Sequence, residues 1–295
     1  MSDQRSTSLA GRAALVTGGS RGLGLEIARA FVIAGASIML CARDRQALEA
    51  AAGNIRPQVR ARQMVRWCPV DVSDPTQVAA VVDQSIDDFG ALHVLVNNAG
   101  VHGPFGPIEE VDWATWKHAI EVNLFGSVNA VRAVLPHFKT QKHGKIIQLS
   151  GGGATKPLPR ISAYAASKAA VVRFAETIAE ECKEFGIDVN SIAPGSLNTA
   201  MLDNVLAAGS TQIGREFFER SIRQKQEGGD SPVHATELAV FLASSASNGI
   251  TGKLISAIWD DWPAWTEHLD DLRYSDIYTL RRIVGRDRGF EWGDK

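Results

Sequence analysis

Tyr164 and Lys168 stand four residues apart in a stretch of helical period, so their side chains share one face of one helix. A phenol exchanges protons near neutral pH only when its pKa is lowered, and an ammonium one helical turn away favours the phenolate. Alone, Tyr-x-x-x-Lys is a common surface pair. It gains weight from the run Thr17-Gly18-Gly19-Ser20-Arg21-Gly22-Leu23-Gly24, which follows an apolar segment some 140 residues earlier. A glycine-rich turn between a strand and a helix turns backbone N–H groups and the positive helix end toward a pyrophosphate. Gly18, Gly22 and Gly24 suit that turn, with Ser20, Arg21 and Leu23 beside them. A glycine triplet also serves tight turns that bind nothing. The combination therefore carries the argument: a phosphate cradle joined to an acid/base couple.

The elements that must position these residues follow from the hydrophobic pattern. Short apolar runs alternate with longer stretches of helical period, the pattern of a parallel sheet covered by helices on both faces. Strands are expected at Ala13 to Thr17, Ser37 to Cys41, Met64 to Val70, His93 to Asn97, Lys145 to Leu149, Asp188 to Ala193 and Leu254 to Ile258. Helices are expected at Leu23 to Ala34, Arg45 to Asn54, Pro75 to Phe89, Trp113 to Phe138, Tyr164 to Phe185 and Thr236 to Ser245. Pro75 suits a helix start, and Asp74 or Ser73 its cap. The fold class is α/β, a doubly wound parallel sheet of about seven strands with an aromatic-rich C-terminal extension. Residues 1–10 form an N-terminal tail, 11–258 one Rossmann-type domain and 259–295 the extension. The polar, glycine-containing span from Ser196 to Ser231 reads as a substrate-covering loop, with one amphipathic piece around Arg215 to Gln226.

Composition narrows the ligand. With 31 basic and 33 acidic residues the formal charge is -2, so no basic excess marks a nucleic-acid or anionic-membrane surface. Cys41, Cys68 and Cys182 are odd in number and lack metal-ligand spacing, which reads as buried thiols in a reducing cytoplasm and no bound metal. Neither a signal-like apolar core in the first ten residues nor a membrane-spanning window is present in the sequence.

Thr-Gly-x-x-x-Gly-x-Gly, then Asn97-Asn98-Ala99-Gly100 after the fourth strand, then Tyr-x-x-x-Lys, resembles the short-chain dehydrogenases/reductases. The resemblance runs from about Gly11 to Ile258 and lies on the dehydrogenase side, away from the extended, epimerase-like members. It implies that Asp71 and Val72 line the adenine, that Asn98, Ala99 and Gly100 lie along the adenosine ribose, and that Pro194, Gly195 and Thr199 meet the nicotinamide. Tyr164 would be general acid/base and Lys168 its pKa modifier and ribose anchor. Asn123, in Glu121-Val122-Asn123-Leu124, matches the asparagine that kinks its helix and supports a proton relay to the lysine. The cofactor's identity can be argued from charge. The second strand ends Met39-Leu40-Cys41-Ala42-Arg43 with no acid to meet a ribose 2′-OH, whereas Arg21 and Arg43 suit a 2′-phosphate, so NADP is favoured over NAD.

One position departs from the family pattern. The serine that hydrogen-bonds the substrate oxygen is expected thirteen residues before the tyrosine, where this chain has Gly151. Ser150 is one residue early, and in an extended strand a shift of one reverses the face. Three arrangements remain open: the run Gly151-Gly152-Gly153 turns Ser150 into the site, Thr155 or a water replaces it, or the site is impaired. His102 and His118 lie in or near the loop after the fourth strand and are expected to be solvated loop histidines, with contact between His102 and substrate as the alternative.

The expected activity is an NADP(H)-dependent oxidoreductase moving a hydride between nicotinamide and a small secondary alcohol or ketone. The alternative is a non-catalytic NADP-binding sensor or scaffold. The extension holds Trp259, Trp262, Trp265 and Trp292, four of the seven tryptophans. It is expected to pack over the substrate loop or a subunit boundary through Trp259, Trp262 and Trp265. A homodimer or homotetramer is favoured, with the helix from Tyr164 to Phe185 as its main contact.

Overall fold

The computed structural model describes residues 7–292. Seven strands form one parallel sheet: β1 (Ala13–Thr17), β2 (Ser37–Ala42), β3 (Val65–Pro69), β4 (Val94–Asn97), β5 (Gly144–Leu149), β6 (Ile187–Ala193) and β7 (Leu254–Ser256). Their order is β3-β2-β1-β4-β5-β6-β7, so the chain reverses direction across the sheet between β1 and β4. In such sheets ligands bind beyond the carboxyl ends of the strands at that reversal.

Side chains alternate between the two faces, as the period of an extended chain requires. Ala14 and Val16 of β1 face a core shared with α1 (Gly22–Ile33), α2 (Arg45–Ile55) and α9 (Pro232–Ala243). Ala13 and Leu15 face the other core, shared with α3 (Pro75–Phe89), α5 (Gly126–Gln141) and α6 (Ser162–Cys182). Pro75 starts α3 as expected, and the Asp74 carboxylate caps it by accepting from the N–H groups of Thr76 and Gln77. Cys41 and Cys182 are buried, and Cys68 is half-buried. Among the described residues no helix is long and apolar enough to cross a membrane.

Three expectations need correction. The single helix from Trp113 to Phe138 is instead α4 (Trp113–Ile120), a π-helical turn at Glu121–Phe125 and then α5. The span after β6 is not one loop with one helix: α7 (Ala200–Ile213), kinked at Gly209, precedes α8 (Arg215–Glu227). The third correction concerns the extension. Trp259 is 86% exposed and anchors nothing, whereas Trp265 is buried and Trp262 packs on Phe241 with ring centroids 5.3 Å apart. Leu272, on α10 (Leu269–Tyr274), is a further buried anchor.

Beyond α10 the chain covers the sheet edge rather than the substrate loop. The Leu254 N–H of β7 donates to Tyr278 O at 2.8 Å, and Lys253 Nζ donates to Ser275 O and Ile277 O at 3.2 and 2.9 Å. Glu176 of α6 accepts from the Leu280 N–H at 2.7 Å, and Arg173 donates to Leu280 O. An edge strand's unpaired backbone groups invite pairing with another chain, and the extension occupies those of β7. Residues 1–6 of the expected N-terminal tail and 293–295 of the extension lie outside the described residues.

Candidate active site

The carboxyl ends of β1, β4, β5 and β6 bring together the residues singled out by sequence. After β1 the chain turns at Gly18, where φ is +63°, and a methyl placed there would lie 2.9 Å from Ala99 Cα. A methyl on Gly24 would lie 2.4 Å from Asn98 Nδ2. Neither position admits a side chain. The reason is that Asn98 stitches the turn to β4: its Nδ2 donates to Thr17 O at 3.0 Å and Gly18 O at 3.1 Å. Thr17 Oγ1 in turn accepts from the N–H groups of Asn98 and Ala99. The carboxamide N–H groups of Asn98 are therefore committed to shaping the turn.

Helix α1 opens without a side-chain cap at Arg21, which leaves its leading amides for an outside acceptor. Gly22, at φ +57°, has only the Thr199 methyl nearby, 3.9 Å from an added Cβ. This uncapped, side-chain-free helix start fits a dinucleotide's phosphates. Arg21 and Arg43 are exposed, and neither makes an ion pair among the described residues. Asp44, the acid nearest Arg43 in sequence, instead caps α2 by accepting from the Ala47 N–H. Asp71 accepts from Ser73 Oγ at 2.7 Å and from its N–H at 2.9 Å. Those bonds, with the positive charge of Arg43, hold its carboxyl below the usual range. Val72 is buried, against Gly126. Gly195, at φ +91°, packs under Asp230, whose carboxylate accepts from the Ser196 N–H at 2.6 Å. Pro194 is half-buried beside it.

Tyr164 and Lys168 lie on α6 beside the end of β5. Lys168 Nζ sits 5.7 Å from the centre of the Tyr164 ring and donates to Leu149 O at 2.7 Å. Burial pushes the phenol up to about 12 and the ammonium down to about 8. The phenol is thus protonated, a donor to a carbonyl oxygen, until positive charge beside it favours the phenolate. Asn123 lies in the π-helical turn, a feature frequent at functional sites. Its Oδ1 accepts from the Val101 N–H at 2.8 Å, and its Nδ2 donates to Val101 O at 2.9 Å and Ser167 Oγ at 2.8 Å. A methyl on Gly100 would lie 3.3 Å from Asn123 Oδ1 and 3.6 Å from Lys168 Nζ, so these groups do converge.

The structure does not bring Ser150 to the phenol. Gly151 has extended backbone, and a methyl on it would lie 2.6 Å from Tyr164 Oη. Position 151 therefore faces Tyr164, and alternation turns Ser150 away. Ser150 Oγ is buried without a hydrogen-bond partner. The glycine run does not re-aim it: the chain enters a 3₁₀ turn at Gly152–Ala154 only after Gly151. Thr155 is exposed.

Sequence reasoning gave too little weight to two residues. His102 lies edge-on to Tyr164 with ring centroids 5.0 Å apart, and its Nδ1 is shielded without a partner. Arg160 ties three segments together: its carbonyl accepts from the Gly106 N–H, and its guanidinium donates to Thr211 O at the end of α7. His102 was visible as a histidine after the fourth strand; nothing local marked Arg160.

Comparison with known proteins agrees with this geometry. The short chain dehydrogenase family model matches residues 12–209. An L-fucose dehydrogenase from Oryctolagus cuniculus is 34% identical over 239 residues, covering 81% of each chain. A 3-alpha-(or 20-beta)-hydroxysteroid dehydrogenase from Mycobacterium tuberculosis is 34% identical over 244 residues, covering 83% of this chain and 86% of its own. Among solved structures, NAD+-bound xylitol dehydrogenase superposes with a TM-score of 0.77 at 26% identity, covering 84% of this chain and 98% of that one. A gluconate 5-dehydrogenase from Burkholderia cenocepacia, in complex with NADP and tartrate, gives 0.74 at 29%, covering 85% and 94%. The chain belongs to the short-chain dehydrogenases/reductases. It is an NAD(P)-dependent oxidoreductase acting on small alcohols or ketones, and the non-catalytic alternative finds no support among these relatives.

Proposed function

We propose that the protein is an NADP(H)-dependent alcohol dehydrogenase or carbonyl reductase whose acid/base is Tyr164. The unpaired Arg21 and Arg43 beside the uncapped start of α1 carry the cofactor assignment, since a guanidinium meets a 2′-phosphate with charge-assisted, bidentate bonds. Gly18, Ser20, Gly22, Leu23 and Gly24 hold the phosphates, Asp71 and Val72 the adenine side, and Asn98, Ala99 and Gly100 shape the ribose side. Pro194, Gly195 and Thr199 border the nicotinamide. Bound there, the reduced dinucleotide supplies a hydride to the substrate carbon. In reduction Tyr164 gives its proton to the carbonyl oxygen, and the phenolate left behind is held by the Lys168 ammonium until solvent reprotonates it. In oxidation the phenolate takes the alcohol proton, so oxidation gains and reduction loses as pH rises. Asn123 acts by fixing Val101 and Ser167 around Lys168.

Residues 11–258 work as one unit, with the extension docked on it. Assembly into a homodimer or homotetramer and a cytoplasmic location complete the proposal; sedimentation of the purified protein tests the first and fractionation of the source cell the second. The names of its relatives direct the substrate search toward sugars, polyols and steroids. The deciding experiment follows absorbance at 340 nm with a panel of ketones, aldoses, polyols and hydroxysteroids, using NADP(H) and NAD(H) in turn. Turnover with tighter binding of NADPH is expected; equal affinity for both cofactors would refute the phosphate assignment.

A further inference from the structure

Gly151 poses a chemical problem. A carbonyl oxygen gathering negative charge is usually met by two preorganised donors, and losing one costs on the order of 10²-fold or more in rate. Tyr164 offers one hydroxyl. The neighbouring backbone position that faces it carries no side chain, and a Cβ there would lie 2.6 Å from the phenol oxygen, so the phenol itself fills that space.

His102 stands beside the same phenol with the chemistry that position 151 lacks. Its ring meets Tyr164 edge-on at 5.0 Å between centroids and Phe105 at 5.5 Å. Its backbone is fixed on both sides. Asn123 clamps both backbone polar groups of Val101, and Gly103, at φ +74°, packs so tightly that a methyl there would lie 2.8 Å from Ala119 Cβ and 3.2 Å from Ala163 Cβ. Burial and the nearby Lys168 charge push the imidazole down to about 4. It is therefore neutral, with one N–H to donate and no second cation beside the ammonium. Nδ1 is shielded without a partner, which leaves Nε2 as the ring nitrogen able to meet a substrate.

We propose that His102 donates the second hydrogen bond to the substrate's reacting oxygen, supplying what no side chain at position 151 can. The inference rests on the oxidoreductase reading with Tyr164 as acid/base. The ring takes no proton from the substrate and gives none up. It stabilises charge while Tyr164 performs the transfer.

The test compares His102→Ala, His102→Gln and Ser150→Ala with the unaltered protein, measuring kcat, KM, NADPH affinity by fluorescence and Tm. A donor role predicts that His102→Ala lowers kcat on the order of 10²-fold at unchanged NADPH affinity, and that His102→Gln, which keeps an N–H, recovers about tenfold of that loss. A kcat within threefold of the unaltered protein in His102→Ala would overturn the proposal. So would equal losses in the Ala and Gln variants with a matching fall in Tm, which mark a packing role, or a loss that falls on Ser150→Ala instead. If Tyr164→Phe keeps its activity, the acid/base reading itself fails and this inference falls with it.

Discussion

The strand ends on the two sides of the sheet reversal treat their polar groups differently. At the end of β1, Thr17, Gly18 and Asn98 satisfy one another in a closed set of hydrogen bonds, and the shape of the glycine turn follows from it. At the ends of β5 and β6, and in the loop that carries His102, buried polar atoms go unpaired: both side-chain atoms of Gln148, Ser150 Oγ, Ser191 Oγ and His102 Nδ1. Asn97 Oδ1 on β4, on the same side of the reversal, is unpaired as well. A folded chain rarely leaves such groups without a partner. The first side is a closed set of bonds that fixes the shape of the glycine turn. The second leaves polar groups without a partner in the protein.

That contrast makes separable predictions, the largest on the chemistry. Tyr164→Phe should lower kcat on the order of 10³-fold or more while NADPH affinity changes less than about threefold, because the hydroxyl acts on the substrate oxygen. Activity and fluorescence titration on one preparation check it; a variant keeping more than a few per cent of the activity would move the acid/base role elsewhere. Next is the extension. Trp265→Ala should cost about 3 kcal/mol in denaturant unfolding, since the side chain is buried against the α9 core. Trp259→Ala should stay within about 0.5 kcal/mol. Equal effects would mean that the exposed tryptophan is an anchor after all.

On the cofactor side, Arg43→Asp should shift the NADPH-to-NADH preference about tenfold or more toward NADH, roughly one charge-assisted contact, and spare turnover at saturating cofactor. The smallest effect is on stability. Burial holds Lys168 at about 8, against an ordinary 10.5. Between those values the native chain binds fewer protons than the unfolded one, so this group's contribution to stability rises with pH across that window, and its penalty is felt in full below about pH 8. Lys168→Met should therefore stabilise the cofactor-free protein by on the order of 1 kcal/mol at pH 7 and abolish turnover. A less stable variant would show that the bond to Leu149 O outweighs the buried charge.

The two sides were also unequally legible in the sequence. The bounds of β1 and α3 agree with their apolar runs and with Pro75, and the glycine turn falls where its spacing puts it, because local chemistry decides those features. The π-helical turn around Asn123 is invisible to a period count, since one added residue hardly disturbs the apolar stripe. Helix α7 was hidden by a glycine at its kink, and Trp259 differs from Trp265 because it lies in the turn after β7, ahead of the 3₁₀ segment Trp262–Glu267 that packs on the core. At β5 the alternation rule was the right guide: it puts position 151 toward Tyr164, and the glycine run adds freedom without reversing the strand. His102 looks like an ordinary loop histidine until the fold sets Tyr164 beside it.

The most direct test is the kinetics of Gly151→Ala. If the phenol occupies the space that a side chain at 151 would need, a single methyl must displace it: kcat should fall at least tenfold with NADPH affinity unchanged, and Gly151→Ser should fall with it. A Gly151→Ser variant faster than the unaltered protein would contradict the account, because it would mean that a missing hydroxyl, and not a close-packed phenol, is what distinguishes this site.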